Sequence, residues 1–377
     1  YRQYSNFIMK EERYLEFLRW CLEVSYKGDY EVVPFVEDID WHDLLTFAQK
    51  QTVVGLYWQG LQRWPADGPN KPSEDDVMDW MGEYTKIARR NTKTNKTLSQ
   101  MGHFLDRNGI SYFVFKGQTV GSYYPVPGAR TSGDIDFYVF QKDRQKAVEL
   151  LQQKEVKMMD DHSGQHWEFS IDGIPFELHY HTAVFSQKKN QRYWDDTIET
   201  YFDDVLDHVD INGTSIPTLP PTMKAIYLFV HIYHHFLKEG IALRQFIDWM
   251  MFFKVKHREI VKAELDAKLD KLGLKRAFRA FGAVLIDMLG MDSAYFPYDL
   301  TDSDRKYESA IMEIVLRYGN FGKYGRSEEK AGWAHSVETG MRSLRHTLKF
   351  FWLSPTENLL WVPKLVSRSL TKNIAQH

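Results

Sequence analysis

Apolar residues recur every three or four positions through most of the first hundred residues. That spacing is typical of amphipathic helices, whose apolar side chains share one face. It predicts one helix over residues 5–26, one or two over 38–61, and a long one over 74–108. The Pro- and Gly-containing stretch 64–73 predicts a loop, and Ser73 followed by Asp76 predicts a capping box where the long helix begins. Residues 1–108 are therefore predicted to form an N-terminal helical region.

The pattern changes at Gly109, where alternating and β-branched runs replace helical spacing. It predicts strands over 110–115 and 134–140, helices over 118–123 and 142–154, and hairpin strands over 166–171 and 174–180. Asp172-Gly173 joins the last two runs, and an Asp-Gly pair between alternating runs is a strong hairpin signal. Residues 109–215 are predicted to form a small α/β core.

Helical spacing returns after Pro217, Pro220 and Pro221. It predicts helices over 222–237, 241–256, 259–272, 274–289, 302–317, 336–352 and 355–372. The Gly- and Lys-rich stretch 318–332 predicts a surface loop. The basic, amphipathic run 342–352 fits an interfacial membrane helix or a helix packed on its own domain, and we favour the second. Residues 216–377 are predicted as a C-terminal helical domain, which makes the fold class α+β.

Two acidic residues interrupt the second strand of the core. Side chains alternate faces along a strand, so Asp134 and Asp136 are predicted on one face, with Ile135 and Phe137 on the other. Two neighbouring carboxylates repel each other, and a bound divalent cation is the usual reason to tolerate them, although a solvated strand edge is the plainer alternative. The pair therefore predicts a metal site.

Composition narrows the possible functions. The chain of 377 residues is 43% hydrophobic and 26% charged, which is ordinary for a globular protein large enough for two or three domains. Its net charge of −3 provides no overall attraction to nucleic acid or to an anionic membrane. Cys21 is the single cysteine, so neither a disulfide framework nor a cysteine metal cluster is expected. The sequence contains no run of about 18 apolar residues, which a membrane-spanning helix would need. We expect a cytoplasmic protein.

A strand that ends in glycine, a short helix, a strand with Asp-x-Asp and a later strand with a further carboxylate resemble the DNA polymerase beta-type nucleotidyltransferases. More narrowly, the chain resembles the bacterial family known as uncharacterised nucleotidyltransferases. The segments that carry the resemblance are Phe115-Lys116-Gly117, Tyr124-Pro125, Arg130, Gly133-Asp134-Ile135-Asp136, Glu177-Leu178-His179, and the helices that contain His231 and Arg244–Asp248. The resemblance implies a polymerase-beta-like core and a nucleotidyltransferase activity that uses two Mg²⁺ ions and a nucleoside triphosphate.

The resemblance also implies roles for individual residues. Asp134 and Asp136 would hold both metal ions, and Glu177 would be the third carboxylate, with Glu168 as its rival. The residues expected at the nucleotide are Lys116, Gly117, Gln118, Thr119, Arg130 and Arg244. The superfamily usually has Gly-Ser where this chain has Gly117-Gln118, so Thr119 is the nearest replacement hydroxyl.

Several of these residues also have a purely structural interpretation. Arg130 fits phosphate binding or a pair with a nearby acid, and Arg244 with Asp248 has the spacing of an intrahelical ion pair. His179 and His181 share the predicted face of Glu177 and fit a role in the site or in structure. The remaining histidines, His231, His234 and His235, are expected to pack rather than to bind metal.

The acceptor is open between three classes. A small molecule is the first expectation because no strong basic surface predicts a nucleic-acid track. A protein acceptor, as in toxin–antitoxin pairs, is second. A tRNA is third, supported only by the basic stripe over residues 86–96, which consists of Lys86, Arg89, Arg90, Lys93 and Lys96. The plainer interpretation of this stripe is a solvated helix face, and the sharper one is a face directed at phosphate, because the helix leads directly into the core that carries the aspartates. A degenerate transferase that binds a nucleotide or partner without chemistry is the non-enzymatic alternative.

Overall fold

The computed structural model describes residues 2–27, 39–65, 68, 70–154, 156–160, 165–202, 205–238, 240–319 and 348–358. Its α-helices are α1 (Arg2–Lys27), α2 (Trp41–Lys50), α3 (Val54–Leu61), α4 (Glu74–Arg107), α5 (Gln118–Gly121), α6 (Gln141–Gln153), α7 (Lys188–Glu199), α8 (Pro221–Lys238), α9 (Leu243–Lys256), α10 (Lys262–Leu272), α11 (Lys275–Ala283), α12 (Asp302–Arg305) and α13 (Glu308–Tyr318). Its strands are β1 (Tyr112–Val114), β2 (Ile135–Val139), β3 (Met159–Asp160), β4 (His166–Ile171), β5 (Ile174–His179), β6 (Asp207–Ile211) and β7 (Thr214–Thr218).

Among the described residues the core sheet has five strands in the order β1-β2-β5-β4-β3. All of its pairings are antiparallel except that of β2 with β5, which is parallel and places Asp136 opposite Glu177. Helices from before and after the core flank this small mixed sheet. The fold is therefore α+β, as the pattern predicted.

Both hairpins turn on residues that tolerate positive φ. Asp172 and Gly173 join β4 to β5 with φ of 50° and 72°, which confirms the predicted hairpin. Asn212 and Gly213 join β6 to β7 with φ of 54° and 77°. Asn-Gly and Asp-Gly suit such turns because both central residues must adopt left-handed conformations. The β6–β7 ribbon was not predicted, nor were β3 and α7.

The alternation of β2 separates two hydrophobic clusters. Ile135, Phe137 and Val139 enter a cluster between the sheet, the C-terminal part of α4 and α6. Tyr138 and Phe140 enter a second, larger cluster that also contains side chains of α1–α3 and α8–α11. Because alternate residues share a face, Asp134 and Asp136 lie on the same side of β2 as Tyr138, which is the side of the larger cluster.

The C-terminal predictions are only partly within the described residues. One predicted helix over 302–317 is two helices, because α12 ends at Arg305 and α13 begins at Glu308. The helix predicted over 274–289 is α11 followed by a π-helical turn, Val284–Met288. The predicted loop 318–332 and most of the helices 336–352 and 355–372 lie outside the described residues.

Candidate active site

Three carboxylates meet at one end of the parallel strand pair. Asp134 immediately precedes β2, Asp136 lies within it, and Glu177 lies opposite Asp136 on β5. One oxygen from each of the three carboxylates lies within 4.8 Å of the other two. The local alternation of β2 and the register of β2 with β5 therefore bring together the acids that the sequence selected.

Asp136 is the most buried member of this group, with no solvent exposure. Its Oδ1 accepts from Lys116 Nζ at 2.9 Å and from His179 Nε2 at 3.0 Å. Its Oδ2 is also buried and has no hydrogen-bond partner among the described residues. A buried carboxylate oxygen without a partner is costly, so it is the atom from which a bound cation would gain most.

His179 joins two of the acids. Its Nε2 lies 3.0 Å from both Asp136 Oδ1 and Glu177 Oε2, and its Nδ1 lies 3.2 Å from the carbonyl of His181. Burial lowers the pKa of His179, but the hydrogen bonds to the two carboxylates outweigh it and raise the pKa to about 9. The two carboxylates therefore favour the protonated form of His179. His181 instead pairs with Asp195, 3.0 Å from Nδ1 to Oδ2.

The pKa values of Asp136 and Glu177 are shifted in opposite directions. Burial works to raise the pKa of Asp136, but Lys116 and His179 hold it well below its usual range. Burial and the charge of Asp136 raise the pKa of Glu177. Divergent environments for neighbouring carboxyl groups are a common feature of catalytic sites.

Gly117 makes the turn that follows β1. It has φ 67° and ψ −121°, a conformation that L side chains avoid. A Cβ at this position would lie 3.3 Å from the carbonyl oxygen of Asp134. The glycine therefore lets the Lys116-Gly117 turn lie directly against the segment that carries the first carboxylate.

The next two predicted residues turn away from the site. Gln118 donates to Asn95 and, at 3.4 Å, to Asn91, both on α4. Thr119 has no solvent exposure, and its Oγ1 accepts from Lys224 Nζ at 3.1 Å. Neither side chain lines the cavity at the carboxylates, because α5 packs them between the sheet and its neighbouring helices. The structure thus gives Thr119 a buried structural contact at the position where the sequence suggested a phosphate-binding hydroxyl.

Arg130 and Arg244 both line the cavity, but Asp248 pairs with the first of them. Arg130 donates from Nε and NH2 to the two carboxylate oxygens of Asp248, at 2.7 and 2.8 Å. Arg244 donates from NH1 to the carbonyl of Thr131 at 2.8 Å. The plainer alternative for Arg130 is therefore observed, whereas the intrahelical pair of Arg244 with Asp248 is not. Arg130 NH1 and Arg244 Nε are buried without a partner among the described residues.

A cavity of about 720 Å³ opens beside the carboxylates. That volume is within the range of small-molecule sites, roughly 300–1,000 Å³. Its cationic lining residues are Arg90, Lys116, Arg130, Lys157 and Arg244. Arg90 belongs to the basic stripe of α4 and also donates to the carbonyl of Gly133 at 2.9 Å. The sequence singled out Arg90 as one of the five basic residues of that stripe, but it gave no signal for Lys157.

The residues present fit a divalent cation. Carboxylate oxygens suit Mg²⁺, and Asp136 Oδ2 is the buried acceptor that such an ion would satisfy. A second group, His166 with Glu177 and His179, has ligand atoms equally close. Glu168 lines the cavity but belongs to neither group within the described residues. His231 also lines the cavity, and the described part of the chain shows no metal group that contains it, His234 or His235.

The sequence profile of the family described as uncharacterised nucleotidyltransferase matches residues 37–290. The chain belongs to this family. The match includes every site residue named above and spans about two thirds of the chain.

A solved structure to which the chain is similar is the crystal structure of an antigenic nucleotidyltransferase-like protein from Paracoccidioides brasiliensis. It is 15% identical, with a TM-score of 0.32 and an alignment over 54% of this chain and 96% of that one. No curated protein matches the chain. Separately, none of the described helices has the length and apolarity needed to cross a membrane.

Proposed function

We propose that this chain is a Mg²⁺-dependent nucleotidyltransferase that moves a nucleoside monophosphate from a nucleoside triphosphate to an acceptor. The observation that carries the proposal is the approach of Asp134, Asp136 and Glu177 to within 4.8 Å, beside the turn at Gly117. Family membership supports the reaction class. In this reaction an acceptor oxygen forms a bond to the α-phosphorus, the bond to the β-phosphate oxygen breaks, and pyrophosphate leaves as the acceptor loses its proton.

The charges around the site suit such a reaction. Asp134 and Asp136 would hold two magnesium ions, with Glu177 at one of them, and the ions would neutralise charge on the phosphoryl oxygens. Lys116 Nζ lies 2.9 Å from Asp136 Oδ1, and Arg90 and Arg244 line the same cavity. Phosphoryl-transfer sites act mainly by positioning and electrostatic stabilisation, and these cations supply both.

We propose a small-molecule hydroxyl or phosphate as the acceptor. The net charge of −3 supports this choice over a nucleic acid, and the exposed cations of α4 support a tRNA less strongly. The rival function is a transferase-like protein that binds nucleotide without chemistry. It is favoured by one observation: at the position after Gly117, where the superfamily has serine, Gln118 contacts α4.

The test is calorimetric titration with ATP, GTP, CTP and UTP, each with and without Mg²⁺. We expect binding that requires Mg²⁺ and that falls at least tenfold in Asp136→Asn, because the substitution removes a buried metal ligand. Asp270→Asn, at an exposed acid on α10, is the matched control. Absence of Mg²⁺-dependent binding in the wild type, or equal binding by Asp136→Asn, would overturn the proposal.

An assay of pyrophosphate release then distinguishes an enzyme from a protein that only binds the nucleotide. We expect release with a panel of hydroxylated small molecules as acceptors and none from Asp136→Asn. Nucleotide binding without release, with small-molecule, protein and tRNA acceptors alike, would establish the non-enzymatic alternative.

A further inference from the structure

Helices α8 and α9 build part of the cavity wall. Leu228 and Ile232 lie one helical turn apart on α8, are nearly fully buried, and line the cavity. Gln245 on α9 lines the same wall, and Thr52, which lies between α2 and α3, completes it. The same helices also contribute His231, Arg244 and Asp248, so this part of the wall combines apolar surface with polar and charged groups.

The side chain of Gln245 is an unpartnered amide. It is 4% exposed, and neither its Nε2 nor its Oε1 has a hydrogen-bond partner among the described residues. Leaving a buried donor or acceptor unsatisfied costs roughly 1–3 kcal/mol per group. A residue with two such groups at a cavity wall points to a ligand that satisfies both.

Gln245 is also held in a fixed position relative to the metal site. The Arg130–Asp248 pair and the bond from Arg244 to Thr131 join α9 to the segment that leads into Asp134. At its start, α9 is joined to the N-terminal region by the bond from Leu243 N to Gln51 Oε1, at 3.0 Å. Because the backbone is fixed in this way, only the side-chain rotamer of Gln245 has to be ordered when a ligand binds.

Thr52 adds a further polar group to this part of the wall. Its Oγ1 is buried without a partner among the described residues, and its φ is 55°. A β-branched residue at positive φ is a strained outlier. The strain arises where α2 ends: Val53 N donates to Ala48 O at 2.9 Å and Thr52 N to Gln49 O at 3.1 Å, and this helix terminus requires a left-handed residue at position 52.

We propose that Gln245, with Thr52 beside it, binds the base of the nucleoside triphosphate and selects adenine. The inference rests on the proposed function. A carboxamide presents a donor and an acceptor side by side, and among the N7-side edges of the four bases only that of adenine offers the complementary pair, the N6 amino group and N7. On its N7 edge guanine offers two acceptors instead, and Leu228 and Ile232 supply apolar surface for a base.

The experiment measures the affinities of all four triphosphates, with Mg²⁺, for the wild type, Gln245→Leu and Gln245→Glu. We expect the wild type to prefer ATP over GTP by about tenfold or more, as one bidentate base contact provides. Gln245→Leu should remove that preference. Gln245→Glu places an acceptor oxygen against N7, which is itself an acceptor, and should therefore also remove the preference for ATP. Gln152→Leu and Gln152→Glu, at an exposed glutamine on α6, should leave the order unchanged.

A second measurement uses the wild type alone and so does not depend on the folding of a variant. Purine riboside triphosphate, which lacks the N6 amino group, should bind at least tenfold more weakly than ATP. Equal binding of these two ligands would overturn the inference, as would an unchanged base order in both Gln245 variants, and in either case Mg²⁺-dependent binding would leave the proposed function standing. Failure of the wild type to bind any triphosphate would overturn the proposed function itself.

Discussion

Arg130 and Asp248 form a two-point ion pair between parts of the chain that are far apart in sequence. Nε and NH2 of the guanidinium lie 2.7 and 2.8 Å from the two carboxylate oxygens, and Tyr124 OH donates to the same carboxylate at 2.7 Å. Both charged side chains are less than a tenth exposed. The pair fixes α9, and with it the proposed base subsite, against the segment that carries the metal-site acids.

We expect Asp248→Ala to lower both stability and nucleotide affinity. It leaves the buried guanidinium of Arg130 without its counter-charge, which typically costs roughly 3–5 kcal/mol. The double variant Arg130→Met with Asp248→Leu should cost less in stability but should still weaken nucleotide binding. Urea denaturation and calorimetry measure the two effects.

The pair of Arg279 with Asp304 provides a matched control. It has the same two-point geometry, at 3.0 and 2.7 Å, but lies outside the cavity lining. Asp304→Ala should lower stability without changing nucleotide affinity. Equal loss of affinity in Asp248→Ala and Asp304→Ala would contradict the role given to Arg130 and Asp248.

Gly117→Ala should abolish tight nucleotide binding. The substitution places an L side chain at φ 67°, which costs about 1–2 kcal/mol, and brings its Cβ to 3.3 Å from Asp134 O. Gly213→Ala also places an L side chain at positive φ, 77°, where a Cβ would meet only open space. Both variants should therefore melt at lower temperature, and only Gly117→Ala should lose affinity. If Gly213→Ala loses affinity to the same extent, the effect is one of global stability.

Substitutions of Thr52 should affect protein stability and nucleotide affinity differently. Thr52→Gly removes a side chain held at φ 55°, and the strain released, about 1–2 kcal/mol, exceeds the roughly 0.5–1 kcal/mol entropic cost of glycine. We expect an unchanged or higher melting temperature with weaker nucleotide binding. Thr52→Val keeps the strain, loses only the hydroxyl, and should weaken binding without raising stability. Full affinity in both variants would remove Thr52 from the proposed base subsite.

Lys224 should make stability depend on pH above neutrality. It is fully buried against Thr119 and Thr218, and burial lowers its pKa from 10.5 to about 7. Between these two values the unfolded chain binds more protons than the folded one, so the contribution of Lys224 to stability rises with pH. Below about pH 7 both states are protonated, and the full cost of the buried ammonium remains.

The measurement compares the wild type with Lys224→Met by urea denaturation at pH 7, 8.5 and 10. The unfolding free energy of the wild type relative to the variant should increase over this range, because the titrations that the two proteins share cancel. A difference that stays constant, or that decreases, would show that the lysine is not held neutral in the folded state.

Local patterns were sufficient for part of the site. The alternation of β2 alone places Asp134 and Asp136 on one face, and Asp172-Gly173 alone predicts the β4–β5 turn. The positive φ of Gly117 likewise fits the glycine that the sequence singled out. Each of these depends on backbone preferences within a few residues, which the sequence states directly.

Pairings between distant segments required the tertiary structure. The sequence offered Glu177 and Glu168 as rivals, and only the register of β2 with β5 places Glu177 opposite Asp136. The sequence also suggested that Arg244 pairs with Asp248. In the structure Asp248 pairs instead with Arg130, which lies 118 residues earlier in the chain.

The sequence by itself thus determined the α+β fold class, the shared face of the two aspartates and the hairpin that carries Glu177. The tertiary structure decided that Gln118 and Thr119 turn away from the cavity, and that Arg90 and Gln245 line it. The physical reason is that backbone conformation is set mainly by neighbours in sequence. The burial and partner of a side chain are set instead by which segments pack together, and no local pattern specifies that.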